Sequence, residues 1–250
     1  PSQGFERIKA FFPQALSSND KILVKWNKFL NKYNFIESLE NNGLEIKYDN
    51  TVKKLINASK ENRLLFNSPR SEITKKELNN RLVDSGFKRK LFDFQERNVS
   101  HLIRRNCGAT FSVPGAGKTT EALAYFSYLG SREDKLLVIC PKNAFGPWKQ
   151  EIISNDGCFG VDENNFHILD AKTNRKKDNL DKILSSNSKY FVINYDQVVG
   201  NKSAIIKFLK ENSVFVIVDE SHNIKGAGNQ RTSAVLEISF LAKYKLILSG

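Results

Sequence analysis

The chain has 250 residues, 40% of them hydrophobic, enough to bury a core as one large domain or as one with a smaller appendage. No apolar run approaches the ~20 residues that span a bilayer, and the N-terminus lacks a signal-peptide core. Three cysteines without C-x-x-C spacing suggest neither a disulfide framework nor a zinc site, so a soluble protein of a reduced, cytoplasmic compartment is expected, prokaryotic or viral rather than nuclear. The formal net charge of +12 points to a polyanionic partner, nucleic acid rather than membrane, since no basic amphipathic helix stands out.

Residues 1–90 carry 18 Lys/Arg against 10 Asp/Glu and the remainder 21 against 17, so the basic excess lies mainly at the N-terminal side. A composition rich in lysine and asparagine would give a basic surface by itself. The region reads as mostly helical. "SNDKILVKWNKFLNKYNFIESLENNG", residues 18–43, sets Trp26, Phe29, Tyr33 and Ile36 at helical spacing as core, with Ser18 or Asn19 as cap and Gly43 as stop. "LEIKY", residues 44–48, predicts a short strand. "TVKKLINAS" and "TKKELNNRLVDSG" predict two more helices, the second opened by a Thr74/Glu77 capping box and stopped at Gly86. Residues 1–90 are therefore expected to be a basic helical accessory domain or a structural brace.

From residue 91 short β-rich runs alternate with helical segments: "ATFSV", "KLLVIC", "FHIL", "YFVIN", "VFVIVD" and "KLILS". Continuous apolar strands between helices predict an α/β fold with a parallel sheet covered on both faces, whose ligands gather at the carboxyl ends of the strands. The first run leads into "PGAGKTTEALAYFSYL", giving strand, glycine loop and helix in order. Such a loop, Pro114, Gly115, Ala116, Gly117, Lys118, Thr119 and Thr120, wraps phosphate with backbone N–H groups at a helix N-terminus, where the dipole also favours negative charge. Gly115 and Gly117 let the backbone come close, Lys118 reaches the β- and γ-phosphates, and Thr119 holds Mg²⁺ through its hydroxyl. The strict pattern asks for glycine at position 112, where this chain has Ser112.

A second signal lies about a hundred residues on. "VFVIVDESHNIKG" is an apolar strand ending in Asp219-Glu220-Ser221-His222. An acid at the tip of a buried strand beside a phosphate loop can hold Mg²⁺ through water, the place of Asp219. Glu220 can then polarise the attacking water, and His222 can sense the γ-phosphate.

Taken in order, these segments resemble the first RecA-like lobe of a superfamily-two helicase-type ATPase, specifically of the Swi/Snf branch. "LFDFQERNV" resembles the glutamine motif, which implies Gln95 as adenine reader with Phe92 or Phe94 packing beside it. "VICPKNAFGPWKQE" is similar to a segment of the branch with Pro141, Trp148 and Glu151. "VINYDQV" is similar to another, around Tyr195. Lys225 follows the acidic tetrad as in the branch, and "LILSG" resembles the start of its serine or threonine-glycine-threonine motif. The branch often lacks the first loop glycine, which accommodates Ser112. The resemblance covers residues 91–250 and implies ATP and Mg²⁺ as cofactors. It also implies double-stranded DNA as the substrate, gripped without sequence preference through Lys142, Asn143, Asn194 and Lys225.

The expected activity is ATP-driven translocation on duplex DNA. A DEAH-type helicase that separates DNA or RNA strands is the rival enzyme, disfavoured by Trp148 and Lys225. A non-hydrolysing ATP-binding assembly module is the rival of another class, disfavoured by the intact Lys118, Thr119, Asp219 and Glu220. The last residues, Ser249-Gly250, fall inside a motif, so the expectation is a fragment whose second RecA-like lobe supplies an arginine to the hydrolytic site.

Overall fold

The computed structural model describes residues 3–250 apart from 14, 18–21, 25–28, 30–31, 44, 171–176 and 227–228. It divides into two compact units, Pro1–Lys60 and Glu61–Gly250.

In the first unit, α1 (Gln3–Phe11) is followed by a two-residue antiparallel ladder of β1 (Leu16–Ser17) with β2 (Ile22–Leu23), then by α2 (Tyr33–Asn41). Among its described residues, Phe12, Ile36, Leu55 and Ile56 are buried. Among the described residues of 18–43, Ile22 and Leu23 pair as a strand and Tyr33–Asn41 is a helix, so the single helix expected there does not run unbroken. Ile22 and Leu23 find ladder partners in Ser17 and Leu16, and tertiary pairing overrides helix propensity. Ile36 takes its core place, and Gly43 its stop, at φ +90°. The cap candidates Ser18 and Asn19, and Trp26, lie outside the described residues. Residues 45–49 are irregular rather than the expected strand. α3 (Asn50–Asn67) follows.

The second unit takes in the last residues of α3 and continues with α4 (Lys75–Asp84). Thr74 accepts from the Glu77 N–H while Glu77 accepts from the Thr74 N–H, the reciprocal cap read from the sequence, and Gly86 turns the chain at φ +84°. There follow α5 (Asp93–Leu102), β3 (Cys107–Thr110), α6 (Lys118–Leu129), β4 (Lys135–Ile139), α7 (Phe145–Ile153), β5 (Phe166–Leu169), α8 (Lys177–Leu184), β6 (Tyr190–Ile193), α9 (Tyr195–Gly200), α10 (Lys202–Glu211), β7 (Val214–Val218), α11 (Gln230–Ser239) and β8 (Tyr244–Leu248). All strand pairs in the six-stranded sheet are parallel, in the order β3-β8-β7-β4-β6-β5.

The strands β4, β6 and β7 are buried almost end to end because both faces are covered. Leu136, Val138, Phe215 and Ile217 pack with Leu78 and Leu82 of α4, Val99 of α5, Phe126 of α6 and Ile152 of α7. On the other face Leu137, Ile139, Phe191 and Val216 meet Leu180 of α8, Val198 of α9, Phe208 of α10 and Ile238 of α11. The first strand is shorter than "ATFSV" suggests. Its ladder with β8 ends at Thr110 opposite Leu248, and Phe111 and Val113 already belong to the exposed loop.

Candidate nucleotide and nucleic-acid site

The strand order decides where the site forms. β3 and β7 flank β8, so the loop leaving β3 and the acids leaving β7 emerge at the same carboxyl edge, with residues 249–250 between them. A Cβ on Gly250 would stand 2.7 Å from the Lys118 ammonium nitrogen.

The loop itself is shaped for an anion. Gly115 and Gly117 have φ of +83° and +80°, a left-handed region costly for other residues. Gly117 occupies the N-cap of α6 with no side-chain cap, unlike α4, α9 and α11, whose caps are Thr74, Asn194 and Asn229. The first N–H groups of α6 therefore have no side-chain acceptor. Lys118 Nζ donates to the carbonyls of Ser112 (2.8 Å) and Val113 (3.3 Å), bonds that phosphate oxygens could replace. A glycine-shaped cradle, an uncapped helix and a lysine inside the loop fit a polyphosphate.

The Ser112 position that departs from the strict pattern is built into the loop's foundation. Its hydroxyl lies 3.1 Å from Thr110 Oγ1, which donates to Glu121 Oε2 at 3.3 Å, and Asn98 of α5 donates to Glu121 Oε1 at 2.9 Å. Glu121 is fully buried, and burial pushes its carboxyl above the ordinary value. Nothing in the sequence singled it out. Gln95 is also engaged: its carbonyl accepts from the Phe92 N–H and its amide donates to the Ala116 carbonyl at 3.1 Å, so it braces the loop directly. Phe92 and Phe94 stack on each other beside it, 5.9 Å between ring centroids.

The acids sit opposite. Asp219 is 9% exposed. Its Oδ1 accepts from the Glu220 N–H and its Oδ2 from the Trp148 indole N–H, both at 2.9 Å. Burial raises the Asp219 carboxyl above its usual value, the Glu220 charge adds to this, and the two hydrogen bonds and Lys118 oppose it. Glu220 has φ +52°, the one positive value for a non-glycine among the described residues. Such strain persists where the surroundings impose it. Here the Tyr195 hydroxyl donates to the Asp219 carbonyl at 2.5 Å, and Asn223 donates to the Glu220 carbonyl at 2.9 Å. His222 Nδ1 lies 3.2 Å from Glu220 Oε2, placing the histidine on the carboxylate expected to polarise water.

The expected nucleic-acid residues divide. Lys142 and Asn143 are exposed on a 3₁₀ turn, Lys142–Ala144, that follows β4 and runs into α7, and Lys225 is exposed after the turn Ser221–Ile224. Asn194 is a correction: it is 4% exposed, and its Oδ1 caps α9 by accepting from the Gln197 N–H, so a buried capping residue stands where a surface contact was expected. Trp148, named in the sequence only as part of a family-like segment, is a hydrogen-bond donor to Asp219.

A family model described as SNF2-related domain matches residues 30–250. The chain is similar to a SWI/SNF-related matrix-associated actin-dependent regulator of chromatin subfamily A-like protein 1 homolog of Caenorhabditis elegans, 28% identical over 172 residues that cover 68% of this chain and 23% of the relative. It is also 28% identical to the Homo sapiens DNA annealing helicase and endonuclease ZRANB3 over 164 residues, covering 64% and 14%. It thus spans less than a quarter of the length of these relatives. A Sulfolobus solfataricus SWI2/SNF2 ATPase core domain aligns at 22% identity with a TM-score of 0.49, over 73% of this chain and 35% of that one. With a family match that runs through both the phosphate loop and the acidic turn, the chain belongs to the SNF2-related domain family.

Proposed function

We propose that this chain is the nucleotide-binding lobe of a DNA-dependent, Swi/Snf-type ATPase that moves along duplex DNA without sequence preference. The observation that carries the reading is the convergence of the Gly115–Thr119 loop with Asp219 and Glu220 at one sheet edge, together with family membership. Lys118 exchanges the Ser112 and Val113 carbonyls for phosphate oxygens, and Gln95 contributes at the adenine end. Thr119 and Asp219 would hold Mg²⁺, the latter through water, and a metal bound there would supply neutralisation of phosphate charge. Glu220 orients and polarises the attacking water, and His222, on its carboxylate, reports the state of that site. Lys142, Asn143 and Lys225 meet backbone phosphates. An arginine from a second lobe completes the hydrolytic site.

The test measures ATP affinity and phosphate release separately, with and without duplex DNA, for this chain alone and for the chain extended through a second lobe. Binding by both, with DNA-stimulated release only by the longer form, is the expected outcome. Failure of either form to bind ATP would remove the reading.

A further inference from the structure

Both carboxylate oxygens of Asp219 are engaged from within the protein. The bond from the Glu220 N–H is local, a product of the turn. The bond from Trp148 joins residues 71 positions apart and brings in a donor carried on α7. An indole N–H donates only and does not ionise. Trp148 is fully buried beside Ile152 and Cys140, so packing fixes the direction of that donor. A carboxylate in a dry place takes whatever orientation its donors set, and here one bond to each oxygen leaves the remaining lone pairs to accept from water. Tyr195 performs the matching task on the backbone, its hydroxyl held by the Asp219 carbonyl and 3.4 Å from the Glu220 carbonyl.

We propose that Trp148 is a positioning residue for the acid that would bind the metal at this site, holding the Asp219 carboxylate by its indole N–H so that its remaining lone pairs would be free to accept from a metal-bound water, while Tyr195 fixes the peptide between Asp219 and Glu220. This rests on the nucleotide-site reading above. It separates Trp148 from an ordinary core aromatic, whose replacement by phenylalanine would lower stability without changing how the protein responds to a metal.

The experiment uses this chain and the probes ATP with Mg²⁺ and ATP with a chelator. Trp148→Phe is expected to weaken Mg·ATP about tenfold, the scale of a hydrogen bond to a charged group, and to leave metal-free ATP within about twofold. Tyr195→Phe should shift the magnesium dependence in the same direction. Equal loss with and without metal, or no loss, overturns the proposal. A second readout needs no nucleotide and covers the case in which Trp148→Phe fails to fold. The chain has two tryptophans, so Trp26→Phe leaves one indole N–H signal in a proton–nitrogen spectrum. That signal should move and exchange faster with solvent in the further variant Asp219→Ala. A signal indifferent to Asp219→Ala overturns the proposal. Absence of ATP binding by the unaltered chain would instead strike the nucleotide-site reading, while the indole signal still reported on the hydrogen bond.

Discussion

Lys118 and Glu220 are assigned different tasks, and substitution separates them. The Lys118 ammonium is held by two loop carbonyls and lies where phosphate charge would arrive. Lys118→Ala is expected to abolish ATP binding in an equilibrium titration. Glu220 is proposed to act on water, so Glu220→Gln should keep ATP binding and, in a form of the protein that turns over, lose about 10²- to 10⁴-fold in phosphate release. Near-normal turnover would show that Glu220 is not the base. Glu121 gives a pH prediction. Its carboxyl is raised above the unfolded value by burial, so between those two values the native state holds the proton that the unfolded chain has lost. Stability contributed by this group is present in acid and is lost as pH rises through that interval. In urea denaturation across the acidic range, Glu121→Gln should flatten the decline; an unchanged slope would mean that Glu121 is not its source. The phosphate-loop residues and the acidic tetrad were legible in the sequence because their spacing is local. The roles of Trp148 and Glu121 were not, because each depends on a partner brought close only by the sheet, Asp219 for the one and Asn98 for the other.

Among the elements, legibility followed the number of neighbours a segment needs. The cap of α4 closes within four residues, and both Thr74 and Glu77 were identifiable from their letters. "YFVIN" became β6 almost as written, since a fully buried strand needs little more than an apolar run, and "FHIL" became the edge strand β5, half-buried at His167 and Ile168. The stretch 18–43 was misread because the ladder of Ile22 and Leu23 with residues 16 and 17 cannot be inferred from helical spacing. α4 also bears on where the sheet unit starts. Leu78 is fully buried in the cluster that contains Leu123 and Phe126 of α6, so this helix is part of the packed sheet unit. Leu78→Ala should cost about 2–5 kcal/mol, the range for truncating a buried leucine. Thr74→Ala should cost about 1 kcal/mol through the lost cap. Chemical denaturation of the chain beginning at Glu61 measures both. A Leu78→Ala effect below about 1 kcal/mol would place α4 outside the lobe's cooperative unit.

At the scale of the whole molecule, charge and division into units together determine how DNA binding should respond to salt. Residues 1–60 hold 10 Lys/Arg against 6 Asp/Glu, and 61–250 hold 29 against 21, so the larger share of the excess lies in the unit that carries Lys142, Asn143 and Lys225. Some of those cations are already paired: Lys75 with Asp93 and Glu96, Arg89 with Glu151, Lys202 with Glu237. Such ions contribute less to an external polyanion than unpaired ones. Contacts with backbone phosphates release counterions, so the logarithm of affinity should fall linearly with the logarithm of salt, with a slope of about −0.9 for each phosphate neutralised. The whole chain is expected to bind duplexes of unrelated sequence equally and to lose affinity steeply as salt rises. The chain beginning at Glu61 should still bind, with a shallower slope and weaker affinity, because the contribution of residues 1–60 is gone while the exposed turns of the sheet unit remain. Replacing Lys142 and Lys225 with alanine in that shorter chain should reduce the slope by about two more. Titration of fluorescent duplexes over a salt series supplies every slope. Identical slopes for the two chain lengths would remove residues 1–60 from the DNA-binding surface, and a slope untouched by the double replacement would remove the two turns.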